Sequence, residues 1–211
     1  MIKNLKKKKI LKTGYLYFDY LRNNITKNFD NNTVLLAPSW SKHYKNFINE
    51  KFNKIIDFLL DKNFNVIFRP HPEHYKRSFK YLEFLKDKYC SKNFKLDYDA
   101  STINSFNKSS ILITDFSGIA LEFSLICNRT SIYISDNNSK HGNSDEINYL
   151  EVDFKKKFSQ TLSLENFFLY FDNIHKNTIL NKDQLDNFAN SYFYNYENSI
   201  SKITARELIS L

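Results

Sequence analysis

The sequence predicts an α/β fold, a Rossmann-like parallel sheet with helices on both faces. Three observations carry this. Short apolar runs of strand length recur and end in turn residues. The segments between them place apolar residues at helical spacing. The two patterns alternate from residue 34 to 136, which implies βαβ units, a parallel sheet and right-handed crossovers.

Taken in order, VLLAPS (34–39) reads as the first strand, and Ile48, Phe52, Ile55, Ile56 and Leu59 place a helix over 45–62. NVIFRP (65–70) is the second strand. A helix over 78–89 follows, with Tyr81, Leu82, Leu85 and Tyr89 on one face. FKLDY (94–98) is a weaker strand, and a short helix is expected near 101–107. SSILITD (109–115) is a strong strand, SGIALEFSLI (117–126) a helix apolar on nearly all sides, and TSIYISD (130–136) the fifth strand. NNSKHGNSDE (137–146) reads as a polar loop and a mobile flap. Residues 146–170 give no clear period. Leu185, Phe188, Ala189, Tyr192 and Phe193 mark a late helix, and 197–210 another, both packing back on the sheet. The expected organisation is a basic lead-in (1–33), the sheet domain (34–170) and C-terminal helices (171–211).

The chain has 211 residues, 42% hydrophobic and 17% aromatic, which suffices for one packed core and excludes disorder over most of its length. Its net charge is +8, and six lysines with no acid fall in residues 1–12. A local patch of this kind suits a solvated terminus, an anionic membrane surface or nucleic acid. A nucleic-acid role is disfavoured, because the charge is confined to one end and no aromatic–basic motif accompanies it. Cys90 and Cys127 lack disulfide or metal spacing, so a reducing cytoplasm is expected. No apolar run reaches the roughly 18 residues that span a bilayer, and no signal peptide is seen. The expectation is a soluble or peripheral protein.

Ligands of open α/β sheets bind at the carboxyl ends of the strands. Three unusual sequences fall there: APSW, RPHPEH and TDFSGIALEF. In the last, Ser117 or Asp115 can cap the following helix. Gly118 admits close approach to the backbone, and the helix N-terminus offers free N–H groups to a phosphate or diphosphate. Glu122, one turn on, can accept hydrogen bonds from ribose hydroxyls. The plainer reading is a capped helix with a polar rim. In RPHP, two of the three prolines hold His71 extended from both sides, so its ring is positioned at little entropic cost. Arg69 beside it can neutralise phosphate. His74 and His43 have no such support and read as surface residues. No carboxylate or cysteine completes a metal site, so neither metal nor cofactor is expected.

Together, APSW, RPHP and a late strand–TDFSG–helix with an acid four residues on resemble the CDP-glycerol glycerophosphotransferase family. Those enzymes build teichoic-acid and capsule polymers. The resemblance covers about residues 12–170, with KTGYLYFDYL (12–21) similar to the family's lead into its C-terminal domain. It implies a GT-B architecture in which this chain is the donor-binding half, without the N-terminal acceptor domain. His71 matches the family's functional histidine; Asp115, Ser117 and Gly118 match its Asp–aromatic–Ser–Ser/Gly turn; Glu122 matches an acid that is often Asp. The resemblance thus implies His71 as the catalytic residue, an electrostatic stabiliser more than a base. Ser39, Arg69, Asp115, Ser117, Gly118 and Glu122 are the expected donor-binding set. Expected partners are CDP-glycerol or a similar donor, a polymer acceptor, an anionic membrane surface, and a chain supplying the acceptor domain. Gly118 and Glu122 resemble a capsule-locus subgroup, which leaves the donor open. A sugar-nucleotide GT-B glycosyltransferase half and a non-catalytic nucleotide-binding subunit are the alternatives.

Overall fold

The structure is a computed structural model that describes residues 10–26, 28–40, 45–90, 93–115, 117–135 and 149–210, with backbone only for 45–50. The expected flap at 137–146, His43 and most of the lysine patch lie outside the described residues.

Among the described residues six strands form one all-parallel sheet in the order β3-β2-β1-β4-β5-β6. They are β1 (Asp30–Leu36), β2 (Asn65–Phe68), β3 (Phe94–Leu96), β4 (Ser109–Thr114), β5 (Ser131–Ile134) and β6 (Ser159–Leu162). Among the described residues ten helices surround it: α1 (Tyr17–Asn24), α2 (Lys45–Asp61), α3 (Glu73–Arg77), α4 (Phe79–Lys88), α5 (Ile103–Lys108), α6 (Ile119–Cys127), α7 (Tyr149–Phe158), α8 (Leu164–His175), α9 (Lys182–Tyr192) and α10 (Ile200–Ile209).

Successive strand residues point to opposite faces, and both faces are covered. Leu35, Ile67, Leu112 and Tyr133 pack with Phe18, Phe106, Phe123, Phe154, Leu185 and Phe188, so α1, α5, α6, α7 and α9 share one layer. Val34, Val66, Phe68, Ile111, Ile113 and Ile132 pack with Phe52, Ile55, Leu59, Leu82, Leu85, Phe167 and Phe171, so α2, α4 and α8 form the other. Because α6 lies between sheet and outer helices, Ala120, Leu121, Phe123, Leu125 and Ile126 are all buried. That explains why its sequence is apolar on nearly all sides.

Several expectations need correction. A sixth strand, β6, pairs with β5 through Ile132↔Gln160. Within the lead-in, for which the sequence marks no element, residues 17–24 form a helix whose Phe18 and Leu21 are fully buried. The helix expected over 78–89 forms as α4 (Phe79–Lys88), and an unexpected short helix, α3, precedes it, separated from it at Ser78 (φ −128°, ψ 24°). The strand expected at 34 begins at Asp30. α8 runs across residues 170 and 171. Both late helices form as expected, at 182–192 and 200–209.

Candidate functional site

Strand order reverses between β1 and β4, and there the connections leave in opposite directions and open a crevice at the carboxyl edge. The two strand ends are tied across it. Ala37 N–H donates to the Ile113 carbonyl (2.9 Å), and Thr114 Oγ1 donates to the Ala37 carbonyl (2.7 Å). Ser39 N–H donates to Asp115 Oδ1 (2.7 Å). Asp115 therefore secures the APSW turn and does not cap α6. The N-cap of α6 is Gly118, with no side-chain cap; only a long contact of 3.5 Å runs from Ile119 N–H to Ser117 Oγ.

A cleft of about 620 Å³ opens over this edge, within the range of small-molecule sites. Ala37 and Pro38 form its base, and Arg69, Pro70, His71 and Pro72 form one wall. Ser117, Ile119 and Glu122 of the α6 entry form another, and Tyr75, Tyr98 and Asp99 close one end. Four of the expected residues thus line a single cleft: Arg69, His71, Ser117 and Glu122. Ser39 and Asp115 stand behind it as a tether. Gly118 sits at the α6 entry with a right-handed backbone, and a Cβ there would meet nothing within 4 Å. Its lack of a side chain is therefore no requirement of the protein's own packing.

His71 is exposed, and its Nδ1 accepts from Glu73 N–H (3.2 Å), which leaves Nε2 as the ring atom for a ligand. Arg69 is already engaged. Its Nη1 donates to Asp97 Oδ2 at 2.6 Å, and both side chains are largely buried. Asp97 also accepts from Ser105 Oγ and from Asp99 N–H. Burial would raise its carboxyl, but these bonds together with Arg69 outweigh it and hold it below the usual range. Arg69 thus presents to the cleft a guanidinium whose position is set by a carboxylate behind it.

His74 corrects the expectation of a surface residue: it is 3% exposed. The Ser39 carbonyl can only accept, so Nε2–H donates to it (3.1 Å), while Nδ1 accepts from Ser78 Oγ (3.2 Å). The Trp40 indole lies edge-on to its ring at 5.2 Å. Burial lowers its pKa, with His71 adding to this and the Ser39 carbonyl and Asp115 opposing it. His74 fastens the RPHP turn to the APSW turn.

On the α6 side, Glu122 Oε1 accepts from the Tyr15 hydroxyl at 2.8 Å. Burial raises the Glu122 carboxyl, and the Tyr15 bond lowers it in part. Tyr15 lies before α1, within the KTGYLYFDYL segment, whose likeness to the family's lead-in gives none of its residues a role at the site. Among the described residues, no group of three or more His, Cys, Asp or Glu is placed to hold a metal ion. Nor is any helix long and apolar enough to cross a membrane.

The family model described as CDP-Glycerol:Poly(glycerophosphate) glycerophosphotransferase matches residues 2–205. The chain belongs to this family. The minor teichoic acid biosynthesis protein GgaB of Bacillus subtilis is 26% identical over an alignment of 233 residues, which covers 87% of this chain and 24% of GgaB. A variant of the wall teichoic acid polymerase TagF soaked with CDPG superimposes with a TM-score of 0.50 at 16% identity, over 92% of this chain and 45% of that one. The UDP-GlcNAc 2-epimerase of Methanocaldococcus jannaschii with UDP-GlcNAc and UDP gives the same TM-score and identity, over 84% of this chain and 53% of that one. At such identities the structural likeness shows the fold, which is GT-B-like. The chain spans about a quarter of GgaB and under half of TagF.

Proposed function

We propose that this chain is the donor-binding half of a transferase that moves glycerol phosphate, or a related alditol phosphate, from a CDP carrier to a teichoic-acid-like or other surface polymer. One observation carries the reading: the cleft at the strand-order reversal brings Arg69, His71, Ser117 and Glu122 onto facing walls. Family membership and the relatives' part in teichoic acid synthesis support it.

In this reading the donor's diphosphate lies between the β2 wall and the α6 entry. Arg69 and the His71 ring meet phosphate oxygens from one side; Ser117 and the backbone N–H groups of the first α6 turn meet them from the other. The missing side chain at Gly118 lets the ligand approach that turn. Glu122 accepts from the ribose hydroxyls. The acceptor hydroxyl attacks the phosphorus that bears the glycerol, the bond between the two phosphates breaks, and CMP leaves with the electron pair. His71 and Arg69 stabilise the charge that builds on the leaving phosphate. The base that takes the acceptor's proton faces the polymer, on a part of the enzyme beyond this cleft or on a partner chain. The lysines of residues 1–12 supply cationic charge suited to an anionic membrane surface.

Calorimetry with CDP, CDP-glycerol, CDP-ribitol and UDP-GlcNAc tests the reading. CDP-glycerol is expected to bind best, and His71→Ala to weaken it about tenfold or more. Equal affinity of both proteins, or preference for UDP-GlcNAc, would overturn it.

A further inference from the structure

The Tyr15–Glu122 bond joins the cleft to a part of the chain far from it. The Glu122 carboxylate makes only this hydrogen bond among the described residues; Oε1 is taken by the Tyr15 hydroxyl, which leaves Oε2 for a ligand. Tyr15 is itself held. Its ring packs edge-on against Phe18 at 4.9 Å, and Phe18 is fully buried. The residue before it, Gly14, has φ +109°, and a Cβ there would run into the Tyr194 carbonyl oxygen and crowd Ile200. Asn195 Nδ2 donates to the carbonyls of Lys12 and Thr13, each at 3.3 Å. The segment 12–15 is therefore pinned against residues 194–200, and that contact sets where the Tyr15 hydroxyl lies.

We propose that Tyr15 is a positioning residue of the donor site, holding Glu122 by one oxygen so that the other meets the ligand's vicinal hydroxyls. This deepens the proposed function and rests on it. A free carboxylate on a half-buried side chain samples several rotamers; one tethered at Oε1 presents Oε2 in a fixed direction, and the ordering cost is met before the ligand arrives. Tyr15 is the titratable group bonded to Glu122, and the other charged or titratable groups lining the same cleft are Arg69, His71, Tyr75, Tyr98 and Asp99. Gly14 acts one step further back. A side chain there shifts the backbone that carries Tyr15 without touching the cleft.

The test uses the full chain with CDP-glycerol as probe. Tyr15→Phe, which keeps the ring and its packing, is expected to weaken binding about five- to tenfold, the size of one ordinary hydrogen bond. It also removes the bond that lowers the Glu122 pKa, so the acid-side fall in affinity moves to higher pH. In a Glu122→Ala background, Tyr15→Phe adds no further loss, the coupling that a double-mutant cycle reads. Gly14→Ala weakens binding in the same direction. Carbon-13 NMR of the Glu122 carboxyl in ligand-free protein gives an independent readout: its titration moves to higher pH in Tyr15→Phe. Wild type that binds CDP-glycerol, with Tyr15→Phe indistinguishable in affinity, pH profile and Glu122 titration, overturns the positioning role and leaves the function standing. Wild type that binds no CDP-glycerol overturns both.

Discussion

The imidazole of His74 is buried with both nitrogens engaged, between the Ser39 carbonyl and the Ser78 hydroxyl, so the folded protein holds it neutral. Its pKa lies below the ordinary value of 6.5 because burial penalises the cation. The unfolded chain takes up a proton near pH 6.5 that the folded protein refuses. The unfolded state therefore binds more protons in the window just below that value, and stability falls as pH falls through it. His74→Gln can keep one bond but cannot titrate. It is expected to cost about 1–2 kcal/mol at pH 7 and to flatten the slope between pH 7 and 5, measured by urea unfolding at each pH. A variant with the wild-type slope would show that His74 is not the group involved. Asp97 acts lower: its carboxyl is held down by Ser105, Asp99 and Arg69, so its contribution is lost only as pH falls below the usual carboxylate range. The two histidines of RPHPEH also show what a sequence can disclose. His71 is marked locally, by flanking prolines. His74 is marked by nothing local, because Ser39 and Trp40 lie 35 and 34 residues away, and so it reads as a surface residue.

At the scale of elements, local periodicity and tertiary context divide the outcome. β4, α6 and β5 are legible because each carries a run of apolar residues with few polar ones, as buried elements of a parallel sheet do. β6 reads SQTL and lies at the sheet edge with Gln160 and Thr161 exposed, so no apolar run announces it. α3 is equally silent, since EHYKR is five residues long and too short to show an apolar period. α1 is hidden for another reason: its aromatic residues serve the core, the cleft rim and the C-terminal helices at once. Asp19 shows the last link. Its Oδ2 accepts from both N–H and Oγ of Ser201, so a side chain of α1 caps the N-terminus of α10 across 182 residues. Burial would raise the Asp19 carboxyl, yet the Ser201 bonds, with help from Arg22, hold it low. Asp19→Ala is expected to cost about 1–2 kcal/mol and to lower hydrogen-exchange protection of the first α10 amides. Unchanged protection there would assign the stability of α10 to Ile200 packing alone.

For the whole molecule, the decisive feature is that one sheet divides two cores, one against α1, α5, α6, α7 and α9 and the other against α2, α4 and α8. Neighbouring residues of one strand, such as Val34 and Leu35, belong to different cores, so neither core can open without the strands it shares with the other. The cleft is bound into the same unit, since its loops are tied by Ser39–Asp115, Thr114–Ala37 and His74–Ser39. Trp40, the chain's only tryptophan, sits against His74 at that junction, with Arg77 over its ring at 5.4 Å. Its fluorescence therefore reports the cleft, while far-UV circular dichroism reports the helices. The two urea transitions are expected to coincide, as a single cooperative unit requires. CDP-glycerol at 100 times its dissociation constant should move both together by about 2.7 kcal/mol, because a ligand that binds only the folded state stabilises all of it. If Trp40 emission changes at lower urea than the dichroism, the APSW and RPHP turns open as a local unit. Added donor would then shift the fluorescence transition further than the other, and the cleft would have to be ordered by its ligand instead of standing ready for it.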